Sequence, residues 1–343
     1  MRIGIVGCGG IAAIHAACIQ KLAGLELVAY ADVKPERAAA FAKQYGGNAY
    51  SSMEEMVERE KPDAIHICTP HYLHTPMAIY GLQHGVHVFM EKPPVITPRQ
   101  WKELKEEALH SEFQLGLCFQ NRYNPSIIKA QELITSGQAG KVIGARGIVT
   151  WNRTREYYTG SDWRGRLEFE GGGALINQSI HTLDLLHYLV GQSPESIDAV
   201  IGNQHLKGVI EVEDMMSAYI RYPGAIVCFY VTTAYNADSA PFIEINCENM
   251  ILRIEELSVT CYHKNGDFER LPIEGKKGYG KSYWGAGHED CIHDFYQSIE
   301  QKRRFRLNVS TMEETVLLML GAYESARNGR EVSFIAPSST DMR

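Results

Sequence analysis

The chain has 343 residues, 45% of them hydrophobic and 22% charged, enough to build the cores of two domains and too apolar for a disordered chain. With 34 basic against 41 acidic side chains its formal charge is −7, which argues against nucleic acid or an anionic membrane as partner. No uninterrupted apolar run approaches the roughly 18–20 residues that span a bilayer.

In chain order, residues 1–120 alternate short apolar runs with helical patterns. Strands are expected over 2–6, 25–31, 64–69, 86–90 and 113–117. Helices are expected over 11–21, from Pro35 onward, and over 53–60, 76–83 and 98–110. Short apolar strands separated by helices mark a parallel sheet covered on both faces. Met1 leads straight into the first strand, without the layout of a signal peptide.

From about residue 121 the rhythm changes. A helix over 125–135 leads through the Gly137 and Gly140 turn into a strand over 142–151. A loop rich in Arg, Tyr and Trp precedes a helix over 174–190. Strand-like runs follow at 196–202, 214–222, 225–233, 242–247, 250–254 and 257–263, with hairpin turns at Tyr222-Pro223-Gly224 and Asn265-Gly266. Helices near 285–301 and 311–328 close the chain. This half reads as an antiparallel sheet with a few helices. The eight cysteines, at 8, 18, 68, 118, 228, 247, 261 and 291, form no CxxC pair. Neither a zinc knuckle nor a disulfide framework is indicated, and buried thiols in a reducing cytoplasm are expected.

The sharpest local signal is Gly7-Cys8-Gly9-Gly10-Ile11-Ala12, a GxGxxA run between the first strand and the first helix. Gly7 permits the tight turn, Gly9 lets the backbone approach a pyrophosphate, and small Ala12 lets the helix pack closely on the strand. Asp32 ends the second strand twenty residues after Ala12, where a carboxylate can accept hydrogen bonds from the adenosine ribose hydroxyls. It also repels the 2′-phosphate of NADP, so NAD is favoured, a preference that Lys34 and Arg37 soften.

Further motifs follow. Thr69-Pro70-His71-Tyr72-Leu73-His74 precedes Gly85-Val86-His87-Val88-Phe89-Met90-Glu91-Lys92-Pro93. Further on stands Gly171-Gly172-Gly173-Ala174-Leu175-Ile176-Asn177-Gln178-Ser179-Ile180-His181-Thr182-Leu183-Asp184. Together these closely resemble the glucose-fructose oxidoreductase / inositol dehydrogenase / rhizopine catabolism (Gfo/Idh/MocA) family, along essentially the full chain. The resemblance implies an α/β protein with a Rossmann dinucleotide-binding domain, here 1–120. A substrate-binding and oligomerisation α/β domain, here 121–343, would carry a large, mainly antiparallel open sheet that often forms a dimer or tetramer interface. It implies an NAD(P)-dependent dehydrogenase or reductase acting on a sugar, cyclitol or sugar nucleotide.

The resemblance also implies site residues. Glu91 and Lys92 would lie beside the nicotinamide ribose, with Lys92 reaching the reacting oxygen. A lysine near a cationic nicotinamide should have a lowered pKa and suits proton exchange with a hydroxyl. Asn177 and His181 are four residues apart in a helical pattern and share a face, with Asp184 one turn beyond. The family usually carries Asp where this chain has Asn177. Asn can orient a hydroxyl but cannot take its proton, so an Asp–His dyad fails unless Asp184 substitutes. His181 is then the proton acceptor or substrate anchor, with Lys92 as its partner. The Asn177-Gln178 pair is similar to that of a subgroup including sugar-nucleotide dehydrogenases. Thr69, Pro70, His71, His74, Gln120, Trp163, Arg164 and Tyr283 are carried over as cofactor neighbours, and Arg122, Tyr123, Tyr157 and Tyr158 as lining for a sugar.

Four other readings compete. His66, His71, His74, His84 and His87 suggest a metal, but His66 falls within a buried strand, and His74 and His87 match family histidines that hold none. No G-x-S-x-G elbow supports a serine hydrolase. Within the family, an NAD-dependent glycosidase working by transient oxidation and a non-catalytic NAD-binding regulator are the alternatives. The regulator predicts a lost lysine or histidine, whereas Lys92 and His181 are both present.

Overall fold

The computed structural model describes residues 1–274 and 285–335. The chain divides into two compact units. The first contains residues 1–123, a short return at 168–171, and residues 285–313.

Its strands β1 (Arg2–Val6), β2 (Glu26–Ala31), β3 (Asn48–Tyr50), β4 (Ala64–Ile67), β5 (His87–Met90) and β6 (Leu115–Leu117) form one parallel sheet in the order β3-β2-β1-β4-β5-β6. Helices α1 (Gly10–Ile19), α2 (Pro35–Tyr45), α3 (Met53–Glu60), α4 (His71–Gln83) and α5 (Pro98–His110) connect them. The central strands are buried on both faces, so β1 beyond Arg2 and all of β4 are continuous buried runs rather than alternating ones. Val6 pairs with Ala31 on one side and with Ile67 on the other. The three chains therefore leave the sheet at one level, and Gly7, Asp32 and Cys68–Thr69 emerge together where the strand order reverses. That is the crevice in which open α/β sheets bind ligands.

Two differences from the sequence expectation have physical causes. The edge strand β3 is only three residues long and largely exposed, so no apolar run announces it. Helix α4 starts at His71 and includes Pro76, which reads in sequence as a first helical residue. The turn before Pro76 is anchored from outside: His74 Nδ1 lies 2.7 Å from the Pro93 carbonyl oxygen, and the Thr75 hydroxyl donates to that of Pro94.

The second unit contains residues 124–167, 172–274 and 314–335. After helix α6 (Pro125–Thr135) come β7 (Val142–Thr150), the short helix α7 (Arg155–Thr159), the short helix α8 (Leu167–Glu170) that returns to the first unit, a π-helical turn at Ala174–Ser179, and α9 (Ile180–Val190). The strands β8 (Ser196–Gly202), β9 (Met215–Tyr222), β10 (Ala225–Thr232), β11 (Phe242–Cys247), β12 (Met250–Glu255), β13 (Ser258–His263) and β14 (Phe268–Pro272) follow. With β15 (Val332–Ser333) they make a nine-stranded sheet, β14-β13-β12-β11-β7-β10-β9-β8-β15. Only the β7–β10 pairing is parallel. Strands β9 and β10 alternate buried and exposed residues, as expected of a sheet with one covered face. Helices α6 and α9 lie on that covered face.

Helix α10 (Gly287–Glu300) belongs to the first unit, whereas a division at residue 120 assigns it to the second. Aromatic packing explains the return. Phe295 is fully buried, with its ring 5.1 Å from that of Phe89 on β5 and 5.4 Å from that of Phe305. The segment beyond runs beside β6, where Leu117 N–H donates to the Leu307 carbonyl. Helix α11 (Glu313–Asn328) then leads into the second unit. All eight cysteines are free thiols, and Cys228 alone is exposed. Among the described residues no helix is long and apolar enough to cross a membrane.

Candidate active site

The first unit supplies a cradle for a dinucleotide. Gly7 has φ +86°, and a Cβ there would sit 2.8 Å from the Cys68 carbonyl and the Thr69 nitrogen, so no other residue fits. At Gly9 and Gly10 a Cβ would meet nothing within 4 Å, which leaves the side facing the start of α1 open. That helix has no side-chain cap and no acidic residue in its first turn, so its N–H groups suit an anion such as a pyrophosphate. Ala12 is fully buried against the sheet, and Ile11 is half-buried. The Asp32 carboxylate accepts the Cys8 and Lys34 amides, each at 2.8 Å, which pins it beside the glycine turn. Burial and the Asp32 charge push the Cys8 thiol up to about 12, against a smaller opposing effect of Arg37, so it remains a thiol.

The next two loops are bolted together. His74 is buried, with Nδ1 on the Pro93 carbonyl and Nε2 2.8 Å from that of Thr69. Burial lowers its pKa although both carbonyls favour the charged ring. His71, also buried, donates from Nδ1 to the Glu170 carbonyl. Thus Thr69 and Pro70 border the crevice, while His71 and His74 act as clamps behind them. Glu91 is buried and Lys92 half-buried, and the Lys92–Pro93 bond is cis. Burial alone would raise the Glu91 carboxyl. A hydrogen bond from His15 and the charges of His15, His288 and Lys92 outweigh that and hold it well below the ordinary carboxylate range. Gln120 and Arg122 are buried in the 3-10 turn Gln120–Tyr123. Tyr123 belongs to the same turn and donates to Asp294 on α10.

The second unit contributes the segment from Gly172 to Val190. Its first turn is a π-helix rather than the α-helix expected from the sequence, and the cause is a buried carboxylate. Glu213 accepts the Gly173 and Leu175 amides at 2.9 Å and the Tyr323 hydroxyl at 2.8 Å, while that hydroxyl accepts the Ile176 amide. The Ser179 hydroxyl donates back to the Ala174 carbonyl, five residues earlier. The glycines before the turn are needed: a Cβ on Gly172 would lie 2.0 Å from the Tyr323 hydroxyl, and one on Gly173 2.2 Å from the Glu213 carbonyl oxygen. From 172 to 187 every residue is buried except Asn177 and His181. Asp184 faces inward, with its carboxylate accepting the Thr315 hydroxyl at 2.6 Å.

Gln178 is buried and tied to a residue that the sequence reading missed. Its Oε1 accepts Arg153 Nε at 2.8 Å and its amide donates to the Tyr157 hydroxyl at 3.1 Å. Arg153 also pairs with Asp238 at 2.8 Å and lies over the Trp151 and Tyr157 rings. Arg164 is stacked on Tyr157 and on Trp163, and Tyr158 is buried against Leu206, Ile210 and Val212. No spacing in the sequence marks Arg153, Glu213 or Tyr323. His15 had a signal, a lone polar ring in the apolar helix GIAAIHAACI. Tyr283 lies outside the described residues. His15, Glu91 and Cys118 place possible ligand atoms within 4.8 Å of one another, but His15 Nε2 and the Glu91 carboxylate are already hydrogen-bonded at 3.0 Å.

Residues 1–117 match the family model GFO_IDH_MocA, described as an oxidoreductase family with an NAD-binding Rossmann fold, and residues 127–253 match the GFO/IDH/MocA C-terminal domain. D-glucoside 3-dehydrogenase of Escherichia coli K12 is 33% identical over 56% of this chain and 54% of its own length. Levoglucosan dehydrogenase of Pseudarthrobacter phenanthrenivorans is 24% identical over 79% of this chain and 80% of its own. For several of the curated relatives the match thus spans about half of their length. Among solved structures, the WlbA dehydrogenase of Bordetella pertussis, in complex with NADH and UDP-GlcNAcA, has a TM-score of 0.85 at 27% identity and covers 98% of this chain and 99% of its own. The two family models together match more than half of the chain, which belongs to the Gfo/Idh/MocA family of NAD-binding oxidoreductases.

Proposed function

We propose that the chain transfers a hydride between NAD and a hydroxyl of a sugar, cyclitol or sugar nucleotide. The observation that carries this reading is the half-buried pair Asn177 and His181 on a segment otherwise buried from 172 to 187. A segment that hides every neighbour yet leaves a histidine and an amide partly accessible is arranged to meet a polar ligand. Relatives named for action on D-glucosides and levoglucosan, and a WlbA structure holding a nucleotide sugar, support the substrate class.

Bound NAD supplies the hydride acceptor. In this reading Asp32 holds the adenosine ribose hydroxyls, and Gly9 and Gly10 admit the pyrophosphate to the start of α1. Asn177 orients a substrate hydroxyl, and His181 takes its proton, a task suited to imidazole near neutral pH. Lys92 serves as its partner, with Glu91 as the adjacent fixed charge. Gln178 reaches the sugar through Tyr157 and Arg153, and Asp184 holds the helix through Thr315. The outward face of the nine-stranded sheet joins two copies of the chain.

Incubation with NAD and a panel of D-glucosides, inositols and UDP-sugars, followed by NADH absorbance, tests the reading. Lys92→Ala and His181→Ala should each lower kcat/KM on the sugar identified by about 10²-fold or more. Turnover unchanged in Lys92→Ala would refute the assignment of Lys92, and sugar release without net NADH would favour the glycosidase.

A further inference from the structure

Behind Glu91 runs a line of buried polar side chains that hydride transfer, as described above, does not use. His15 on α1, His66 on β4 and Tyr296 on α10 are all at most 2% exposed. His15 Nε2 lies 3.0 Å from the Glu91 carboxylate, His15 Nδ1 lies 2.7 Å from His66 Nδ1, and His66 Nε2 lies 2.7 Å from the Tyr296 hydroxyl.

With His15 neutral, these distances fix the direction of every proton. A carboxylate only accepts, so His15 carries its proton on Nε2. In neutral His15 the Nδ1 atom is then an acceptor, and His66 must donate to it from Nδ1. That leaves His66 Nε2 as an acceptor, which the tyrosine hydroxyl fills. Each ring has one tautomer, and every donor points toward Glu91.

We propose that Tyr296, His66 and His15 are positioning residues: a one-way hydrogen-bond chain that holds Glu91 as an anion and thereby sets the charge of Lys92. The inference rests on the reading of Lys92 as a working residue. Around Glu91 stand His15 from α1, His66 and Cys68 at the end of β4, His74 from α4, Cys118 after β6, His288 from α10, and Lys92. Burial raises both cysteines, which stay thiols, and lowers His66, His74 and His288. Glu91 is therefore the one anion in this set, and without a donor from His15 its burial favours the protonated acid. Lys92 would then lose its counter-charge, and its ammonium would give up a proton more readily.

The test is the pH dependence of Lys92 acetylation by acetic anhydride, followed by peptide mass spectrometry on the NAD-loaded protein. His15→Leu should lower the midpoint by about one pH unit, so that Lys92 reacts roughly ten times faster below it. His15→Gln, whose amide can still donate to Glu91, should keep the midpoint near wild type. An unchanged midpoint in His15→Leu that still binds NAD overturns the proposal. Nitrogen-15 NMR of the wild-type protein provides a check that needs no variant: His15 protonated on Nε2 and His66 on Nδ1 support the chain, and the opposite tautomer for either refutes it. Neither readout uses a substrate, so this chain can fail while Lys92 remains essential, and the reverse.

Discussion

At the scale of single residues, Asp32 has a structural task and, in the proposed function, a discriminating one. Its carboxylate caps the Cys8 and Lys34 amides and so shapes the glycine turn, while its charge opposes a 2′-phosphate. Asp32→Asn keeps an oxygen for one amide and removes the charge. It should weaken NAD binding about tenfold, from loss of charge-assisted hydrogen bonds, and should narrow the gap to NADP. Fluorescence titration of both nucleotides measures this, and tighter binding of NADP by the wild type would contradict the role given to Asp32. His288 carries a separate signature. Burial, against the pull of Glu91 and aided by His15 and Lys92, pushes its pKa down to about 4. The unfolded chain takes up this proton near 6.5, so between about 6.5 and 4 the unfolded state binds more protons than the folded one. Stability should therefore fall as pH drops through that window, and His288→Gln should flatten the slope in thermal melts recorded across it.

At the scale of elements, the π-helical turn shows how a distant carboxylate overrides local pattern. A periodic reading of Ala174–Val190 yields one helix with Asn177 and His181 on a common face, and both are half-buried in the folded chain. The wider turn was not legible, because it depends on Glu213 and Tyr323, which are remote in sequence and carry no motif. The glycine turn at Gly7 was legible because its constraints are local: a positive φ, a strand before it and a helix after it. Glu213→Gln tests the remote clamp. The amide presents an N–H where a buried donor expects an oxygen, a mismatch that costs roughly 1–3 kcal/mol. Turnover of an identified sugar should fall at least tenfold, while NAD binding, which belongs to the other unit, should not change. Weakened NAD binding in a folded Glu213→Gln protein would show that the clamp does more than shape this helix.

At the scale of the whole molecule, chain order and spatial order part company in the first unit and leave a face uncovered in the second. Alternating strands and helices made the parallel sheet legible, but nothing local says that Phe295 will rejoin Phe89 across some two hundred intervening residues. The sheet of the second unit presents a further question on its outward side. There Tyr219 pairs with Cys228, and Cys228 with Arg146, which pairs in turn with Glu244 and through it with Arg253. Glu244 binds both arginines, at 2.7 and 2.9 Å, and both guanidinium groups lie over Phe242. Ile148, Val200, Tyr219 and Ile226 are exposed beside this ladder. Charges already compensated within one face, set among aromatic and aliphatic side chains, lose little on drying and suit an isologous contact with a second copy. Light scattering should then find a dimer or a multiple of one, and Ile226→Lys should shift it toward monomer without abolishing NAD binding. The thiol of Cys228 reports on the same face, because it is the exposed one of eight. It should react slowly with a disulfide reagent in the wild type and rapidly in Ile226→Lys; equal, fast reaction in both, with a monomeric wild type, would rule this contact out.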